Sequence, residues 1–158
     1  MKHFHTPMRF THRPHSARIS ALLHSLFFLL ISCSLSAQVT GRWVTIDDET
    51  GKKKSIVEIT ESNGVLSGRV VKLFREPSEE QDPVCKECDP SDDRYNKKVI
   101  GMEIIRNMKK DGDEWEDGTI LDPKNGSVYD CKIWLENGKL QVRGYVAFFF
   151  RTQTWIRE

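Results

Sequence analysis

From Gln38 to its end the sequence is punctuated by short clusters of Asp, Asn and Gly: Asp47-Asp48-Glu49-Thr50-Gly51, Ser62-Asn63-Gly64, Asp111-Gly112-Asp113, Asp122-Pro123-Lys124-Asn125-Gly126 and Glu136-Asn137-Gly138. Gly and Asn supply the positive φ that tight hairpin turns require. Between the clusters lie segments rich in β-branched and aromatic residues, too short and too regularly interrupted to be helices. The spacing predicts eight strands: Gly41 to Asp47, Ser55 to Glu61, Val65 to Arg75, Ile100 to Met108, Glu114 to Leu121, Val128 to Glu136, Lys139 to Ala147 and Phe150 to Arg157.

The period within these segments is two. Tyr129, Cys131, Ile133 and Leu135 alternate with Asp130 and Lys132, and Leu140 and Val142 alternate with Gln141 and Arg143, so one face is buried and the other wet. Eight antiparallel strands joined mostly by tight turns remove their exposed edges by closing into an up-and-down barrel. The fold expected is therefore all-β, a single eight-stranded antiparallel barrel. Its interior is just wide enough to be filled by side chains or to hold one small ligand. One connection breaks the rule of short turns. Residues 76–99 are rich in Pro and Asp, contain Cys85-Lys86-Glu87-Cys88, and are long enough to lie over one barrel mouth.

The first 37 residues are of another kind. They carry Lys2, Arg9, Arg13 and Arg18, no acidic residue, and the apolar run Leu22 to Ile31, which is the plan of a signal peptide. That run is far short of the roughly 20 residues of a transmembrane helix, so no membrane span is expected in the mature chain. Ser34-Leu35-Ser36-Ala37 before Gln38 suits an ordinary signal peptidase, whereas Leu30-Ile31-Ser32-Cys33 resembles a lipobox that would lipidate Cys33. The first is the favoured reading, and Met8 is a plausible alternative start. The division expected is a signal peptide over 1–37 and a barrel domain over 38–158, in a periplasmic or secreted protein or, on the second reading, an envelope lipoprotein.

Removal of 1–37 leaves 20 basic against 23 acidic residues, a net charge of −3. A basic field able to attract nucleic acid or an anionic membrane is therefore lacking. All five histidines, His3, His5, His12, His15 and His24, also lie in the leader. Ser-His-Asp and Cys-His nucleophilic sites and most catalytic zinc sites need imidazole, so none of these can be built in the mature domain.

Gly41-Arg42-Trp43 on the first strand, with Arg151 or Arg157 on the last, is similar to lipocalin-like barrels, in which a Gly-x-Trp opens the chain and a late Arg covers the Trp. More specific is the sum of Trp43 to Gly51 (WVTIDDETG), Asp82 to Cys88 (DPVCKEC), Gly118 to Pro123 (GTILDP) and Arg151 to Trp155 (RTQTW). Together with Arg143-Gly144-Tyr145 these resemble an uncharacterised bacterial family, domain of unknown function 2147. The resemblance spans Gly41 to Arg157. It implies an exported single-domain protein with a lipocalin-like barrel and carries over no catalytic residue.

Three cysteines remain in the mature chain. On the loop-entropy model a four-residue disulfide ring contributes only about 2 kcal/mol, and a Cys88–Cys131 bridge nearer 4. Periodicity nevertheless places Cys131 on the apolar face with Tyr129 and Ile133, as a small buried hydrophobe. The disulfide expected is Cys85–Cys88, with Cys131 free. A redox role is disfavoured because Asp82, Glu87 and Asp89 would raise the thiol pKa and no thioredoxin-like βαβ unit surrounds the pair. Neither Asp111-Gly112-Asp113-Glu114 nor Asp47-Asp48-Glu49 has the ligand spacing of a calcium loop, and three cysteines without His fall short of a zinc set. No metal, cofactor or catalytic residue is assigned.

Trp43, Trp115, Trp134 and Trp155 with Tyr129 and Tyr145 give the barrel an aromatic interior or rim, suited to a packed core or to an apolar ligand. The ligand-binding residues expected are Trp43, Tyr129, Trp134, Arg143, Tyr145 and Arg151, with Arg143 and Arg151 meeting a charged or polar end. Against this stands the reading that Arg151 or Arg157 merely closes over Trp43 in a cation–π contact. Three functions follow: a non-enzymatic barrel binding a small apolar or amphipathic molecule in the cell envelope, a packed module contacting another envelope protein, and an enzyme using carboxylates or the Cys pair. A cavity distinguishes the first from the second, and a carboxylate of shifted pKa in a cleft would mark the third.

Overall fold

The computed structural model describes residues 38–158; the expected signal peptide, with Cys33 and the five histidines, lies outside the described residues. Within this range the chain forms one compact unit. Eight strands follow one another in chain order: β1 (Gly41–Ile46), β2 (Lys53–Ser62), β3 (Val65–Leu73), β4 (Glu103–Asp111), β5 (Glu114–Asp122), β6 (Ser127–Glu136), β7 (Lys139–Val146) and β8 (Phe149–Arg157). Each pairs antiparallel with its neighbours and β8 returns to β1, which gives the closed up-and-down barrel that edge protection demands.

One end of the barrel carries the tight turns at Asn63-Gly64, Gly112-Asp113 and Asn137-Gly138, and buried side chains fill it. Trp43, Val57, Ile59, Leu66, Ile105, Met108, Ile133 and Leu140 meet there with essentially no exposed surface. Trp43 is the centre of this plug. Its indole Nε1 donates to Val39 O at 2.7 Å, and the Arg157 guanidinium lies 4.2 Å over its ring while donating to Thr40 O and Gln38 O. Of the two arginines that could cover Trp43, it is Arg157. Gly41 makes this closure possible, since a Cβ there would stand 2.5 Å from Arg157 and its φ of +119° is one that side-chain-bearing residues rarely adopt.

The closing seam is short. β1 and β8 pair at Trp43–Arg157 and Val44–Ile156, and Glu158 N–H donates to Arg42 O. Above that point side chains bridge the gap: Asp48 Oδ2 accepts from Gln153 Nε2 at 2.9 Å and from Arg151.

The long connection is built, not loose. Cys85 and Cys88 are joined in a disulfide and both are buried in the core, where Val99 and Met102 join them. Main-chain bonds from Cys85 to Lys97, Asn96 to Cys85 and Val99 to Pro83 fold the segment on itself. Two arginines then fix it to the barrel. Arg94 grips Asp92 through Nε at 2.9 Å and Nη2 at 2.6 Å and reaches Glu103 O, while Arg106 holds both oxygens of Asp93. The fourth strand accordingly starts at Glu103 rather than at Ile100. Ile100 to Met102 turn at Gly101 so that Gly101 N–H donates to Val70 O and Val70 N–H to Met102 O.

The loop is seated on the β5–β6 turn at one tight point. A Cβ added to Gly126 would sit 1.8 Å from Glu87 O, at a φ of +72° that already favours glycine. Gly126→Ala is therefore expected to unseat the disulfide segment and cost about 3 kcal/mol or more, read as a lowered urea midpoint with faster amide exchange in residues 83–88. A second expectation concerns acid. Hydrogen bonds from Arg94 hold the Asp92 carboxyl, and from Arg106 the Asp93 carboxyl, below the ordinary value of 3.8. Folded pKa values below the unfolded ones mean that this stabilisation is complete above pH 3.8 and is lost as pH falls through the folded values. The urea midpoint is expected to drop below about pH 4, and Asp92→Asn to flatten that drop while lowering the midpoint at neutral pH.

Candidate functional site

The other end of the barrel is open. Above the plug, a cavity of roughly 1060 Å3 reaches from a floor at Val70, Leu121, Val142 and Trp155 to a mouth formed by the β1–β2, β3–β4, β5–β6 and β7–β8 connections. The walls are apolar at depth, with Leu73, Ile104, Ile120 and the Tyr129 ring; Pro83, Val84 and Val99 of the long loop complete one side. The loop therefore walls the mouth and does not cap it.

Polar groups are sparse at depth and crowd toward the mouth, where Asp47, Lys52, Lys53, Lys54, Glu76 and Lys124 are among the lining residues. Thr45 and Ser55, both buried, hydrogen-bond to one another through their hydroxyls at 2.7 Å near the base of the cavity. Trp155 Nε1 donates to Gln153 Oε1 at 3.2 Å, and Gln153 passes the chain on to Asp48, where Arg151 joins from the rim. Lys54 stands 4.0 Å from Asp122 among the residues lining the mouth. The cavity is thus apolar at depth beneath a charged collar, part of it paired as in Lys52–Glu76 and Arg151–Asp48. Among the described residues, the carboxylates of shifted pKa are Asp47, Asp89, Asp92 and Asp93, all lowered, Asp47 and Asp89 by hydrogen bonds from Thr50 and Ser91. A lowered carboxyl is a fixed acceptor rather than a proton donor near neutral pH.

The expected ligand residues divide by strand parity. Tyr129 and Arg151 line the cavity. Trp43 lies below it, in the plug. Trp134, Arg143 and Tyr145 lie on the outer face, because each sits an odd number of residues from an inward neighbour, Ile133, Val142 or Gly144. There Arg143 is stacked, with its guanidinium 4.9 Å from the Trp134 ring and 4.5 Å from Phe150, while its Nε donates to Thr152 Oγ1 at 2.7 Å. An arginine so held serves the outer wall, and the structure does not bring Arg143, expected to meet a ligand's polar end, to the cup. The residues that the sequence reading missed are Thr45, Ser55, Asp48 and Gln153, while Trp155 is read there only as one of the interior or rim aromatics. The alternation Arg151, Gln153, Trp155, Arg157 was the available signal, since it puts all four on one face.

Cys131 faces inward and is free, with burial pushing its thiol up to about 12. Cys85 Sγ lies 3.6 Å from Pro123 O; as a disulfide sulfur it has no proton to donate, and the contact is one of packing. Among the described residues no group of three or more His, Cys, Asp or Glu is placed to hold a metal ion.

A barrel closed by its own eight strands, plugged at one end by a Gly-x-Trp and an arginine and open at the other into a cup that is apolar at depth, defines the lipocalin class of folds. The chain belongs to the bacterial family described as uncharacterized protein conserved in bacteria (DUF2147), which matches residues 41–157. Its fold is similar to a solved structure from the human pathogen Helicobacter pylori, protein HP1028, reported to belong to the lipocalin family. The TM-score is 0.64 over 77% of this chain and 83% of that one, at 19% identity, so the likeness is one of fold. Among curated proteins none matches.

Proposed function

We propose that this protein is a non-enzymatic binding barrel of the cell envelope, taking up one small apolar or amphipathic molecule through its open mouth. The observation that carries the reading is the half-filled barrel: the lower half is filled by fully buried side chains, while the upper half leaves a cup of roughly 1060 Å3 whose depth is lined by Val70, Leu73, Ile120, Leu121 and Val142. That size lies just above the roughly 300–1,000 Å3 range of small-molecule sites, which share an apolar depth with placed polar groups. The apolar part of the guest lies against Tyr129 and Trp155, and its polar end meets Gln153, Arg151 and Lys54 at the collar.

The leader's signal-peptide plan supports export to the periplasm or beyond, and Cys33 offers the alternative of a lipid-anchored form. The reading is tested by titrating the neutral fluorophore 1-aminoanthracene into the protein. Saturable binding near one per chain, with blue-shifted emission and competition by dodecanol and dodecanoate, is the expected result. Emission that never saturates, or that competitors leave unchanged, would overturn it.

A further inference from the structure

At the rim of the cup the β7–β8 hairpin turns at Ala147 and Phe148 and presents three consecutive phenylalanines to solvent. Phe148, Phe149 and Phe150 are 98%, 79% and 61% exposed, with Val146 also exposed beside them. No turn chemistry asks for this; Ala147 even takes φ +50°, a conformation that glycine adopts more easily. Behind the tip, on the outer face, the residues change in order of polarity. Tyr145 packs on Phe150 with centroids 6.2 Å apart, Arg143 stacks on Phe150, and Trp134 stacks on Arg143. An apolar point backed by Tyr, Arg and Trp is the profile of a segment that enters a lipid interface, the rings in the acyl boundary and the amphipathic groups at headgroup level.

From this gradient we infer that the Phe148–Phe150 tip docks the open mouth of the barrel onto a phospholipid bilayer surface. Two further observations choose a bilayer over a second copy of the chain. The three rings expose about 450 Å2, well under the roughly 800 Å2 per partner of a stable interface, and they form a point rather than a flat patch. The rest of the outer wall carries ion pairs such as Arg42–Glu58 and Lys132–Glu114, which confine entry to the tip. Residues 38–158 have a net charge of −3, so the lipid required is zwitterionic: ring partition, not charge attraction, drives the contact. The inference stands independently of what fills the cup, though it turns the mouth toward the source of an amphipathic guest.

The experiment is sedimentation with phosphatidylcholine vesicles, comparing the native chain with a Phe148→Ser/Phe149→Ser form that shares its N-terminus, so that any contribution of the leader or of lipidation is common to both. Both rings are exposed and outside the core, so the variant folds. The expected result is salt-insensitive binding that falls about tenfold or more per ring removed. Phe148→Trp, placed on vesicles of brominated phosphatidylcholine, reports the tip directly and is expected to be quenched. Equal binding of native and variant chains together with an unquenched Phe148→Trp overturns the inference. So does a native chain that ignores vesicles and runs as a dimer which the serine variant dissociates, the signature of a second copy as occupant.

Discussion

Trp43→Ala is expected to cost about 3–5 kcal/mol of folding stability, the largest loss of any single truncation in this barrel. The ring fills the centre of the plug among Val57, Ile59, Leu66 and Leu140, its Nε1 holds Val39, and Arg157 covers it from the last strand. Its removal leaves a cavity that packed neighbours cannot collapse into, and it strips the short β1–β8 seam of the contact that joins chain start to chain end. Urea denaturation reads the effect as a fall in midpoint. Arg157→Ala should cost about 1 kcal/mol, and in the double variant the two losses should fall short of additive, because the second change removes a partner already gone.

The second large effect is on binding. Gly144 lies on β7 among the residues lining the cup, where a Cβ would meet Tyr129 at 3.4 Å and nothing closer, at a backbone conformation open to any residue. Gly144→Phe therefore puts a ring into the space proposed for the guest. Stability should change by less than about 1.5 kcal/mol, since the added ring occupies existing space. Affinity for 1-aminoanthracene should fall about a hundredfold or more, equivalent to about 2.7 kcal/mol. A matched urea midpoint with lost fluorescence separates a blocked cup from a damaged barrel.

Turn chemistry and period two made most of this fold legible. The Asn-Gly and Asp-Gly clusters lie at hairpin turns, and all eight strands lie where the alternation puts them to within a few residues. The largest displacement, at the start of β4, has a local cause: Gly101 turns the chain so that Val70 can exchange main-chain bonds across the gap, a long-range pairing with no trace in the local pattern. β4 also buries Ile104 and Ile105 in succession, and Asn107 and Asp117 take φ of 59° where β4 and β5 face each other. Such irregularities break the simple alternation.

The site was less legible. Tyr129 and Arg151 were reachable from the sequence, whereas Trp134, Arg143 and Tyr145 enter the expected ligand set on aromatic character and neighbourhood, although the alternation itself puts Arg143 on the wet face. Counting from Ile133 and Val142 would have put all three on the outer wall. Asp48 belongs to the site only because the β1–β8 seam runs short of main-chain pairing, so that a side chain more than a hundred residues away in sequence bridges it with Gln153 and Arg151. No spacing rule encodes that.

The most direct test is native mass spectrometry of the protein purified from the cells that produce it, followed by denaturation and identification of whatever small molecule is released. The account predicts a complex heavier than the disulfide-containing chain by one defined mass, shed as an apolar or amphipathic compound and missing from the Gly144→Phe form. A native chain that flies at its bare mass, indistinguishable in occupancy from Gly144→Phe, would contradict it.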